Sequence, residues 1–339
     1  MRLIKTEDAV GHVLCHDMTQ IIKDQYKDAR FRKGHVVTEE DIPVLLSMGK
    51  EHLYVWEMTS GMVHENDAAE RLLALCGQEN MIRSGVKEGK IELKAACDGV
   101  FLVDSARLVA VNSQDEVMIA TRKGGMAVRE GDKLAGMRVI PLIIEEEKLR
   151  KAEQAAGDKP LLSLKPYVRK TACIVATGGE VKKGLIKDTF TPVVIDKLKT
   201  YGIETLEVVY SGDGVENVRD AVLTMREKKP DMILCTGGMS VDPDDNTPGG
   251  IKAAGANIIA YGAPVLPGAM FLLGYFDDGM PVMGLPGCVM YAGATVFDLV
   301  LPKVAADVPV TRADIAAMGE GGLCLGCKPC RYPVCPFGK

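Results

Sequence analysis

The chain has 339 residues, and 47% of them are apolar, so it is long enough for two or three domains and too apolar for global disorder. Its 41 basic and 46 acidic residues leave a net charge of −5, which argues against a general nucleic-acid binder. No apolar run reaches the roughly 18 residues of a membrane span, and the start, "MRLIKTEDAVGH", lacks a secretory h-region. A cytoplasmic protein without membrane or nucleic-acid partners is the expectation.

Residues 1–58 are expected to form a mixed α/β segment. In "GHVVTEEDIPVLLSMGKEHLYVWE", Thr38 is expected to cap a short helix, with Asp41 in its first turn and Gly49 as its stop; "HLYV" follows as a strand. Residues 59–144 open with the amphipathic helix "ENDAAERLLALCG". From Lys87 the period becomes two: "KIELKAA", "GVFLVD", "RLVAVN" and "EVMIATR" predict strands of a small antiparallel barrel or sandwich. Residues 145–168, with "EEEKLRKAEQAAGDK", predict a linker helix.

Residues 169–308 alternate strands and helices. "ACIVAT", "TLEVVY", "MILCT" and "PVMGL" are the strands; "TPVVIDKLKTYG", "VENVRDAVLTMREKK" and "VMYAGATVFDLVLPKV" are the helical runs. This pattern predicts a doubly wound, mostly parallel α/β sheet with helices on both faces and a ligand beyond the carboxyl ends of its strands. Three loops fall there: "TGGEVKKGLIKD", "TGGMSVDPDDNT" and "LPGCVMYAG". Two Thr-Gly-Gly turns and a Leu-Pro-Gly on one sheet edge suit a phosphate-bearing ligand, because glycine lets backbone amides approach it closely. A single Gly-Gly, or Asp245 by itself, would be an ordinary turn.

The four motifs are Thr177-Gly178-Gly179-Glu180; Gly184, Ile186 and Asp188; Gly237, Gly238, Ser240, Val241 and Asp245; and Leu285-Pro286-Gly287. In this order they resemble the molybdopterin-binding domain of the molybdenum cofactor biosynthesis family, which includes molybdopterin molybdotransferase and gephyrin, most strongly over residues 170–304. The resemblance implies binding of adenylylated molybdopterin, hydrolysis of its pyrophosphate and insertion of molybdate, with Asp245 the residue most important to that step. Backbone amides of the two loops, with the hydroxyls of Thr177, Thr236 and Ser240, are expected to donate to phosphate and pterin oxygens. Asp245 and Glu180 are expected to act in catalysis and to hold Mg²⁺. Gly178, Gly179, Asp188, Gly237, Gly238, Pro286 and Gly287 complete the expected ligand site.

The chain also departs from the family. Cys288-Val289 stands for Asn-Pro, Asp242 for a glycine, and "PGAM" (Pro267 to Met270) for Pro-Gly-Lys-Pro; the family's "NSAMDGYA" stretch has no counterpart. These departures support a second reading, a non-catalytic carrier or chaperone that passes molybdopterin to a client molybdoenzyme. A third reading is a relative acting on pyridine nucleotides. A homo-oligomer is expected.

Of ten cysteines, six (Cys15, Cys76, Cys97, Cys173, Cys235, Cys288) are scattered and read as small buried hydrophobes. Residues 309–339 form a cysteine-rich tail in which Cys324, Cys327, Cys330 and Cys335 follow a C-x2-C-x2-C-x4-C spacing. That density suits a four-thiolate site for Zn²⁺ or a [4Fe–4S] cluster; the alternative is a flexible tail of reduced thiols.

Overall fold

The computed structural model describes residues 2–22, 26–55, 61–240, 242 and 245–339. Its contacts divide the chain into two units: Met1–Ala96, Val103–Gly124 and Gly131–Ser163 form one, and Cys97–Leu102, Gly125–Glu130 and Leu164–Lys339 the other.

In the first unit, Arg2–Lys5 pairs antiparallel with His52–Val55, and Met18–Ile22 with Tyr26–Phe31. Leu14, Val37, Leu45 and Leu53 pack a small core between them. The expected helix starts later than Thr38 and spans Asp41–Ser47. Thr38 belongs to the preceding turn, where its amide and hydroxyl both donate to the Asp41 carboxylate at 2.9 Å. A four-stranded antiparallel sheet follows, in the order Met81–Arg83, Ile91–Ala95, Lys133–Val139, Val117–Thr121.

"RLVAVN" is not one of its strands; it lies in the helix Ser105–Asn112. The Asp104 carboxylate accepts from the Arg107 amide at 3.1 Å, and this N-cap outweighs the strand preference of the valines. The charged helix Glu146–Ala156 is no solvated linker. It buries Leu149, Ala152 and Ala156, and Glu153 receives the fork of Arg71 at 2.7 and 2.9 Å. Its alanines let it pack closely, which a search for large apolar residues misses.

The second unit is built on a six-stranded sheet. Its strands are β1 (Thr171–Thr177), β2 (Glu204–Ser211), β3 (Met232–Thr236), β4 (Asn257–Tyr261), β5 (Leu272–Tyr275) and β6 (Pro281–Leu285). The spatial order is β2-β1-β3-β6-β5-β4; the first four run parallel, and β5 and β4 add antiparallel. The helices are α1 (Gly179–Lys182), α2 (Phe190–Lys199), α3 (Val215–Glu227), α4 (Thr247–Ala253), α5 (Val296–Ala305) and α6 (Arg312–Ala317).

Alternate residues of β1 face opposite layers, as a strand requires. Ala172 and Ile174 pack with Val194 and Leu198 of α2 and Val300 and Val304 of α5. Cys173 and Val175 pack with Val218 and Val222 of α3 and Ile251 of α4. The doubly wound expectation therefore holds, and the antiparallel edge β4–β5 is added to it. The run after "LPG" is not one helix: a 3-10 turn at Gly287–Met290 precedes α5, which starts at a capping box between Thr295 and Asp298.

Candidate functional site

The chain leaves β1 for β2 on one side, then returns past β1 to β3 on the other. Strand order thus reverses between β1 and β3, the place where open α/β sheets bind ligands. Register puts Ala176 beside Thr236 and Thr236 beside Leu285, so three strands end together.

Thr177 ties two of these ends. Its buried hydroxyl donates to the Thr236 carbonyl at 2.9 Å and lies 3.1 Å from the Thr247 hydroxyl. Thr247 in turn donates to the Gly237 carbonyl at 2.8 Å, and its amide to the Gly238 carbonyl at 3.1 Å. Gly237 has φ +82°, and a Cβ there would sit 2.3 Å from the Thr177 carbonyl oxygen. Glycine at this position is set by strand-to-loop contact. The expectation that Thr177 presents its hydroxyl to a ligand is corrected: that proton is spent inside the fold. Thr236 is likewise buried, 2% exposed.

Carboxylates already sit on two loop amides. Asp213 accepts from the Gly179 amide at 2.9 Å, and Asp245 accepts from the Ser240 amide at 2.8 Å. Both contacts show amides oriented to hold an anionic oxygen. Glu180 and Asp242 are exposed on the same two loops, and Asp245 is half-buried.

Asp188 caps α2: one oxygen accepts from the amides of Phe190 and Thr191 at 2.9 and 3.0 Å. Burial would raise its pKa, but the Thr191 hydroxyl, these two amides and the Tyr210 hydroxyl together outweigh burial and hold it below the ordinary carboxylate value. Its second oxygen is buried and makes no well-aligned hydrogen bond among the described residues, although the Thr191 and Tyr210 hydroxyls act on the carboxylate. Pro286 is buried and opens the 3-10 turn; Gly287 is exposed, and a Cβ there would meet nothing within 4 Å. The Thr189 hydroxyl contacts the Met290 sulfur at 3.1 Å, which joins the first loop to the third. Val241 lies outside the described residues.

Two residues of this edge escape the sequence reading. Thr247 looks like an ordinary helix start, and Asp213 lies in "SGDG", which matches no phosphate-binding motif although it follows β2 directly. The signal was its place at a parallel strand's carboxyl end.

Of the scattered cysteines, Cys15, Cys76, Cys173 and Cys235 are buried as expected, and Cys97 and Cys288 are half-buried. The tail is docked, not loose. The Cys324 amide donates to the Leu266 carbonyl at 2.8 Å, the Tyr332 hydroxyl to the Asp298 carbonyl at 3.0 Å, and Phe337 is 2% exposed. Among the described residues no three His, Cys, Asp or Glu side chains gather as metal ligands.

Residues 173–306 match the family described as "Probable molybdopterin binding domain", and residues 3–57 match a domain of unknown function (DUF8806). A CinA-like protein of Mycobacterium tuberculosis is 33% identical over 76 residues, 22% of this chain and 18% of that protein. The match thus spans about a fifth of the relative's length. Among solved structures, the Mog protein of Mycobacterium ulcerans is 20% identical, with a TM-score of 0.35 over 41% of this chain and 99% of that one. CinA from Thermoplasma acidophilum is 17% identical, with a TM-score of 0.34 over 40% of this chain and 98% of that one. No helix among the described residues is long and apolar enough to cross a membrane.

Proposed function

With residues 173–306 a molybdopterin-binding domain of the molybdenum cofactor biosynthesis type, we propose that this edge binds adenylylated molybdopterin, cleaves its pyrophosphate and inserts molybdate. The observation that carries the reading is the Thr177 bond to the Thr236 carbonyl, which fixes two glycine loops side by side at the sheet's switch point. In this reading the backbone of Gly178, Gly179, Gly237 and Gly238, with Ser240, receives phosphate and pterin oxygens. Phosphate takes over the Gly179 amide from Asp213, and Asp188 holds the start of α2.

The donor set suits Mg²⁺, which needs only one or two carboxylates beside phosphate and water. Asp245 has one oxygen committed to the Ser240 amide and keeps the other; Glu180 is exposed on the neighbouring strand's loop. Bound there, Mg²⁺ would neutralise charge on the pyrophosphate. Asp245 both shapes its loop and supplies charge, so Asp245→Asn separates the roles: it keeps an oxygen for Ser240 and loses the charge.

The expected result is unchanged molybdopterin affinity by calorimetry, with pyrophosphate cleavage reduced about a hundredfold or more. Wild-type protein that binds molybdopterin yet stays inert with Mg²⁺ and molybdate would establish the carrier reading, which the lysine-free "PGAM" and the missing "NSAMDGYA" stretch favour. Binding of a pyridine nucleotide without molybdopterin binding would overturn both.

A further inference from the structure

We propose that Cys324, Cys327, Cys330 and Cys335 close around one thiophilic divalent ion of the zinc class, independently of the pterin site. The loop carrying them is pinned at both ends. Leu266 and Leu323 form a bridge, with the Leu266 amide on the Gly322 carbonyl at 2.8 Å, and the Gly338 amide donates to the Gly321 carbonyl at 2.9 Å. Phe337 is sunk in the core, and Cys324 and Cys335 lie half-buried against the same core cluster. The intervening stretch from Leu325 to Arg331 is exposed throughout and has no core of its own. Leu325 and Val334 are 75% and 81% exposed, so apolar burial does not explain the conformation of this loop.

Among the described residues the sulfurs are not gathered: Cys327 and Cys330 are exposed, while Cys324 and Cys335 are half-buried. Neutral thiols are weak hydrogen-bonding groups and have little reason to converge without a cation. A short loop with pinned ends has already lost most of the freedom that gathering four thiols would cost. The two Cys-x2-Cys steps and the final x4 step then allow four Zn–S bonds at about 2.3 Å. Binding forms four Zn–S bonds and releases the thiol protons to solvent. Four thiolates around a divalent ion leave a charge of −2, which Lys328 and Arg331 within the loop offset.

The test uses the full-length reduced chain, titrated anaerobically with Co²⁺ and then Zn²⁺. The expected result is a thiolate-to-cobalt charge-transfer band that saturates at one equivalent and is lost on adding Zn²⁺. Proton release and protection of the four tail thiols from a thiol reagent should accompany it. Cys327→Ser and Cys330→Ser should each weaken binding at least tenfold, and Cys97→Ser should not. Absence of the band, or four tail thiols still titrating with metal present, overturns the site. Iron and sulfide in anaerobically isolated protein would also overturn it, in favour of a cluster. Molybdopterin calorimetry on the same samples keeps this result separate from the pterin reading.

Discussion

At the scale of single residues, the site depends on groups that serve the fold before any ligand arrives. Thr177→Val keeps shape and removes the hydroxyl, leaving the Thr236 carbonyl and the Thr247 hydroxyl short of a partner. The expected loss is about 1–3 kcal/mol in urea unfolding, with molybdopterin affinity falling alongside. Gly237→Ala should cost about 1–3 kcal/mol through its left-handed φ, and more through contact with Thr177. Normal stability in that variant would refute the close approach. The first unit should carry a pH dependence. Burial pushes His16 and His64 below the ordinary value of 6.5, and nearby Lys50 and Lys33 push the same way. A depressed folded pKa means that stability is complete above about pH 6.5 and is lost as pH falls through the folded value. Urea midpoints from pH 7.5 to 5 should fall for the wild type and flatten in His16→Asn. Glu65, pushed up by burial, acts in the opposite sense, so a Glu65→Gln background isolates the histidines.

At the scale of elements, caps and edges decided what alternation could not. "RLVAVN" has strand composition, yet Asp104 caps it into a helix. α5 begins at Thr295, well after the apolar run starts, because Thr295 and Asp298 cap each other there. That start also carries a nearly buried ion pair: the Lys197 ammonium of α2 lies 2.5 Å from Asp298 and 3.3 Å from the Gly293 carbonyl of the third loop. Lys197→Met should cost about 3–5 kcal/mol, because it leaves Asp298 buried and uncompensated. Lys197→Met with Asp298→Asn should recover part of that loss in urea unfolding; no recovery would show that the pair is not coupled. β4 and β5 lie outside the sequence reading because they join the sheet as antiparallel neighbours with no helix between them, so strand–helix alternation does not announce them.

At the scale of the whole molecule, sequence neighbours do not always share a unit. Gly99–Val103 and Met126–Val128 pair with each other, and Met126–Val128 packs on α5. Residues Cys97–Leu102 and Gly125–Glu130 therefore cluster with Leu164–Lys339, and the Tyr167 hydroxyl donates to the Gly99 carbonyl at 2.9 Å. A fragment of residues 164–339 should unfold at lower urea than the same region in the full chain; equal midpoints would show that the inserted strands contribute nothing. The sequence by itself determined the parallel sheet, its helix layers and the three glycine-bearing loops, because strand–helix period and turn chemistry are local properties. It could not show that Thr177 faces inward, that Asp213 joins the edge, or that the charged helix Glu146–Ala156 is packed. Those depend on which strand lies beside which and on what a small side chain allows to approach, and only the tertiary structure decides such non-local pairings.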